Sequence, residues 1–238
     1  MSYSSYMKTI ILSALFILSS FANEAIRKNS YFNVVKVETS ELTTTQTNLI
    51  NLVLVIDMDS KWTEIKLNEE IEKTQRSLQI CDAQISSIEK VYVTLPMKTR
   101  EQLNNQNPYA GPPELKIVLE GIPQKTMTGF LIDKYTRNGT AFAINRTSVE
   151  RSERYPTLPS YAPMENTFWI TDNFIPYNSA PGADKTYSTF AHEVVHIIGN
   201  LGHVENNPLP NLMGGNDAVG KSYALTQQQC DAILNYWF

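Results

Sequence analysis

Histidine and cysteine are the rarities of this 238-residue chain, with three of the first and two of the second. Charge is modest, at 18% Asp, Glu, Lys and Arg and a net charge of −4. No dense run of Lys and Arg occurs, so nucleic-acid binding lacks an electrostatic footprint and no such partner is expected. No internal repeat is present, and the two cysteines are too far apart for a CxxC metal or redox motif. With 10 Gly, 12 Pro and 42% hydrophobic residues, the composition also excludes a collagen-like repeat, a disordered polymer and a coiled coil. What is left is a chain long enough to bury a sizeable core.

The N-terminus reads as a targeting segment rather than as part of the fold. Lys8 supplies a positive charge, Ile10 to Leu18 form a short apolar run, and Ser20 and Ala22 stand at the small-residue positions of a signal-peptidase site. The run is too short to span a bilayer comfortably. The expectation is a signal peptide over residues 1–22, an exported unit over 23–238, and no stable membrane insertion after cleavage. A buried N-terminal helix is the plainer alternative. Export makes Cys81 and Cys230 a disulfide candidate, with two buried free thiols as the other possibility.

Hydrophobic periodicity supplies the elements. Ile50 to Met58 is β-branched and apolar, as a buried strand requires. Lys61 to Cys81 reads as a helix whose inner face carries Trp62, Ile65, Leu67, Ile71, Leu78 and Cys81. Strands are expected at Ile88–Leu95, Glu114–Glu120, Phe130–Lys134, Thr140–Ile144 and Thr167–Thr171. Met97–Pro113 and Asn145–Asn166 read as long polar loops. Helices are expected at Tyr187–Gly199 and Leu225–Tyr236, the latter capped by Thr226. This order gives an α/β or α+β fold, one mixed sheet with few helices.

All three histidines fall in Ala191–His203, in the run His192-Glu193-Val194-Val195-His196. His192 and His196 are four apart, so on a helix they project from one face about one turn apart. That spacing lets two imidazoles share one Zn²⁺ at about 2.0–2.1 Å each. Glu193 flanks the metal without ligating it, and a carboxylate there can take a proton from an attacking water. An ordinary helix with surface histidines is the alternative, and histidine scarcity weighs against it.

Catalytic zinc takes three protein ligands plus water, so a third is needed. A third histidine can only be His203. Asp217, Asp231 and Glu205 remain as acidic candidates without a ligand motif or helical context. On an unbroken helix His203 would stand about 16 Å along the axis from His192, too far to share an ion. The helix therefore has to end between His196 and His203. Gly199 is expected to reverse the chain with a positive φ, and Gly202 offers a second flexible point.

The window resembles the metzincin zinc endopeptidases, which carry HExxHxxGxxH followed by a Met-turn. His192, Glu193, His196 and Gly199 match position for position. The pattern puts the third His at Gly202, and here it is displaced by one to His203. Asn211-Leu212-Met213-Gly214 looks like the Met-turn, and the resemblance makes Met213 an apolar floor beneath the metal. The resemblance covers about residues 187–236. It implies an α+β fold: a twisted mixed sheet with a backing helix, an active-site helix and a small C-terminal subdomain ending in a helix. The upper subdomain would span about 23–200 and the lower about 201–238. It further implies an endopeptidase with one catalytic zinc ion and peptide or protein substrates, and the signal segment makes it secreted or periplasmic. The substrate would add as a strand to an exposed sheet edge, at Thr140–Arg146 or Thr167–Thr171. The S1′ wall would come from Gly214–Tyr223. A gluzincin- or aspzincin-type zinc hydrolase, or a catalytically silent exported zinc-binding protein, are the competing readings. Asn138-Gly139-Thr140 and Asn145-Arg146-Thr147 match N-glycosylation acceptors.

Overall fold

The computed structural model describes residues 33–42, 47–96, 125–133, 141–155, 162–172, 187–204, 210–214 and 222–238. The expected signal segment, the Glu114–Glu120 strand, Asn138, Glu205, Gly215–Lys221 and Asp217 lie outside these residues.

Among the described residues six strands form one mixed sheet. They are β1 (Asn33–Glu41), β2 (Asn48–Asp57), β3 (Ala83–Thr94), β4 (Thr126–Ile132), β5 (Ala141–Ile144) and β6 (Thr167–Thr171), in the spatial order β1-β3-β2-β4-β6-β5. β3, β2, β4 and β6 run parallel, and β1 and β5 pair antiparallel at the two ends. Among the described residues four α-helices accompany the sheet: α1 (Glu64–Gln79), α2 (Arg146–Arg154), α3 (Thr189–Ile198) and α4 (Gln227–Trp237). Among the described residues no helix is long and apolar enough to cross a membrane.

The uninterrupted apolar run of β2 follows from its place. Leu52, Leu54 and Ile56 join one core with α1, α3 and α4, while Val53 and Val55 join a second core with Val149 of α2 on the opposite face. A parallel strand covered on both sides loses the polar alternation of a half-exposed one. α3 is buried along all of its residues but His196, so it is apolar nearly all round. Gly129 makes room for this packing. A Cβ there would come within 2.3 Å of the Phe168 ring, which meets Phe190 of α3 edge-on with ring centroids 5.0 Å apart. Burying an aromatic or aliphatic side chain of this size stabilises the fold by about 1.5–3 kcal/mol.

Several boundaries differ from the sequence expectation. β1 was not anticipated: it is an edge strand with none of its described side chains fully buried, so no apolar run marks it. β3 begins at Ala83, five residues before Ile88, and β4 begins at Thr126 rather than Phe130. α2 occupies the stretch expected as a loop. Its sequence is almost wholly polar and only Val149 and Ser152 are buried, so no apolar stripe marks it. Ile65 is 73% exposed and is not part of the inner face of α1; buried Glu70, Thr74 and Ser77 sit there instead. Thr167–Thr171 is an interior strand between β4 and β5, so it is not a sheet edge.

Candidate metal centre

α3 is fixed at its start by Ser188. Its Oγ accepts from the Ala191 N–H at 2.9 Å and donates to Glu70 Oε2 of α1 at 2.5 Å. Lys73 Nζ holds the other carboxylate oxygen of Glu70 at 2.9 Å. The N-cap is thus anchored to the backing helix by a charge-assisted bond. Glu193 lies one residue past His192 on α3, about 100° further around the axis, and is buried.

His192, His196 and His203 converge. The Nε2 atoms of His192 and His196 are 3.0 Å apart, those of His192 and His203 are 3.0 Å apart, and those of His196 and His203 are 3.2 Å apart. His192 Nδ1 faces the Leu212 carbonyl at 2.7 Å, and His196 Nδ1 faces the Leu201 carbonyl at 2.6 Å. A carbonyl only accepts, so both Nδ1 atoms carry the proton and both Nε2 atoms present lone pairs. Two such lone pairs 3.0 Å apart can share one cation between them. Three ligands on a tetrahedral ion at about 2.0–2.1 Å stand about 3.3 Å from one another, close to the spacing here. The residues present therefore fit a single metal ion, and these three histidines can hold one. Burial pushes the His196 imidazole down to about 4, partly offset by its bond to Leu201, with the neighbouring His203 lowering it further. His196 thus stays neutral, the state a ligand needs.

The chain between the ligands is built differently from the sequence expectation. Gly199 has φ −99 and ψ −6, and the positive φ falls instead on Asn200, at 47. Asn tolerates the left-handed region because its side chain can bond locally, so glycine is not needed for the reversal. Gly199 is required for space: a Cβ would stand 2.8 Å from the Leu201 side chain and 3.1 Å from Ile233 of α4. A Cβ at Gly202 would meet nothing within 4 Å, so the structure gives that glycine no steric role.

After His203 the Val204 N–H donates to the Met213 carbonyl at 2.8 Å. Met213 is fully buried in the core shared with α3 and α4. The turn that carries it is pinned by Asn211, whose Oδ1 accepts from Met213 N–H at 2.9 Å. Asn211 and Gln229 also pair amide to amide, at 2.9 and 3.0 Å. Gln229 Oε1 in turn accepts from Thr226 N–H at 2.7 Å, closing the capping box of α4. Cys230, the next residue, is bonded to Cys81 just past the end of α1. Asp231 is on the exposed side of α4, where it accepts from Gln227 Nε2 at 2.9 Å.

Asn145 also reaches the site. It caps α2 through Oδ1, which accepts from Ser148 N–H and Oγ, both at 3.0 Å, and its Nδ2 donates to the His196 carbonyl at 3.0 Å. It is exposed to only 7%, so in the folded chain this glycosylation tripeptide presents no free amide. Sequence reasoning passed over Ser188, Glu70, Asn200 and Gln229, and named Asn145 and Asn211 only in other roles. Ser188 and Asn145 carried a signal as polar residues at helix starts, and Gln229 as the third residue of a capping box with Thr226; Glu70, Asn200 and the Asn211–Gln229 pairing act between partners distant in sequence.

No family model and no curated protein matches the chain. Among solved structures it is similar to metalloproteinase-II from Bacteroides fragilis, with a TM-score of 0.49 and 15% identity over 90% of this chain. The chain spans 60% of that protein's length. A chaperone–substrate complex aligns with a TM-score of 0.43 and 14% identity over 82% of this chain and 38% of the other. The chemistry of the site therefore rests on its own residues.

Proposed function

We propose that the chain is a secreted, zinc-dependent endopeptidase of metzincin type, exported through residues 1–22. One observation carries the reading: three imidazole Nε2 atoms stand 3.0–3.2 Å apart, with two of the rings locked in the ligand tautomer by backbone carbonyls. His192, His196 and His203 would hold the ion. Zinc bound there supplies Lewis acidity, which acidifies a water and polarises a scissile carbonyl. Glu193 accepts the proton from the attacking water and returns it to the leaving amine nitrogen. The Leu212 and Leu201 carbonyls keep His192 and His196 from rotating away. Met213 contributes an apolar base. β5 ends the sheet among the described residues, and its outer backbone groups suit an extended peptide adding as a further strand.

The test is Glu193→Gln. The variant keeps about one zinc per chain, measured by metal analysis, and cleaves a proteome-derived peptide library at least about a thousandfold more slowly than the parent. Loss of zinc together with activity would make Glu193 a ligand. A zinc-loaded parent that cleaves nothing in the library would sink the peptidase reading.

A further inference from the structure

We infer that Asn145 and Asn200 form a reciprocal clamp that positions the loop between the second and third histidines, and so sets the affinity of the site for its metal. The inference rests on the metal reading above.

Its basis is an account of orphan backbone groups. A helix leaves its last carbonyls and its first N–H groups without intrahelical partners. At the end of α3, Gly199 N–H still bonds to the Val195 carbonyl at 3.1 Å. Asn200 N–H then shifts to the Ile197 carbonyl at 3.2 Å, which leaves the His196 carbonyl without its helical donor. Asn145 Nδ2 takes that place at 3.0 Å. At the start of α2, Asn145 Oδ1 satisfies Ser148 N–H, and Asn200 Oδ1 satisfies Thr147 N–H at 2.9 Å. Each asparagine thus serves the helix that the other one adjoins.

The route to the metal is short. Asn200, held in the left-handed region, directs the next residue, Leu201, so that its carbonyl receives His196 Nδ1 at 2.6 Å. His203 follows two residues later. The clamp therefore orients the His196 ring and launches the segment that brings His203 back. Asn145 directly follows Ile144, the last residue of β5, so the clamp also joins the sheet edge to the metal helix.

The two side chains differ in what they use. Asn145 needs both amide ends: the oxygen for the α2 cap and the N–H for the His196 carbonyl. Asn200 needs only its oxygen. Aspartate keeps the oxygen and lacks the N–H, so it should rescue position 200 and fail at 145. A general need for a folded α2 would not separate them, since aspartate caps a helix as well as asparagine does.

The experiment uses the full chain. Zinc affinity is measured by chelator competition, and Co²⁺ substitution reports ligand geometry through its visible spectrum. Asn145→Asp is expected to bind zinc about 10- to 100-fold more weakly, with an altered cobalt spectrum. Asn200→Asp should stay within about threefold of the parent, while Asn200→Gly, which keeps the backbone conformation and loses the acceptor, should weaken binding about tenfold. Parent-like affinity in Asn145→Asp, or equal losses in both aspartate variants, would overturn the clamp. If Asn145→Asp fails to fold, Asn200→Gly decides alone, and unchanged affinity there overturns it. A parent chain that binds no zinc fails at the metal reading itself, and the clamp falls with it.

Discussion

The site has a helix-borne half and a loop-borne half. His192, Glu193 and His196 ride on α3, where helical spacing alone puts two imidazoles on one side. His203 comes from an irregular segment held by Asn200, by Val204 bonded to Met213, and by Asn211 bonded to Gln229. The first half is local and cheap in information. The second depends on contacts between residues 9 to 53 positions apart. The convergence of the three imidazoles is thus reached once through periodicity and once through tertiary hydrogen bonding.

The largest effect that separates the halves should come from the loop ligand itself. His203→Ala is expected to weaken zinc binding by roughly a hundredfold or more, since structural zinc sites share about 10–16 kcal/mol among their ligands. Asp217→Ala should change it little, and the reverse pattern by chelator competition would hand the third position to the aspartate.

Next comes the bond between Cys81 and Cys230, which closes a sequence separation of 149. Replacing both by Ser should lower unfolding free energy in urea by about 2–5 kcal/mol. Because Cys230 adjoins Gln229, amide exchange at Leu212 should accelerate more than at Val195. Equal acceleration would show that the two halves open together.

Asn211→Ala is a smaller change. It strands the buried amide of Gln229 and should cost about 1–3 kcal/mol by denaturant titration, with the loss confined to the loop-borne half. The smallest effect is on the helix. His196 is held at about 4 against an ordinary 6.5, so in the metal-free protein the unfolded chain takes up a proton that the folded chain refuses between those values. Stability should be full above about pH 6.5 and decline as pH falls towards 4. His196 is partly solvent-exposed, which screens the effect. Denaturation midpoints in chelator at pH 7 and 4.5 check this, and a His196→Gln variant should lose that part of the slope.

The contrast also explains what could be read from sequence. The HExxH spacing, the apolar run of β2 and the Thr226 cap are short-range patterns, and the structure has an α+β mixed sheet with the ligand helix and terminal helix close to their expected positions. His203 could be put forward by elimination because histidine is so rare, and the structure brings it to the other two. α2 stayed invisible because a helix with two buried residues has no stripe. Gly199 was credited with the chain reversal because glycine is the usual left-handed residue, whereas Asn200 makes it with help from Thr147. Gln229 is one of three consecutive glutamines, and its place three residues after Thr226 in the capping box, together with its pairing with Asn211, sets it apart.

The burial of Asn145 reaches beyond the molecule to how it can be produced. A eukaryotic secretory host attaches sugars to Asn-x-Thr sites on the growing chain, before α2 and α3 have met. A glycan on that amide would persist into folding at an atom that has to sit 3.0 Å from a backbone carbonyl, in a residue with almost no path to solvent. Chains carrying it would be unable to dock α2, and the yield of mature protein from such a host would track the unglycosylated fraction at this one tripeptide.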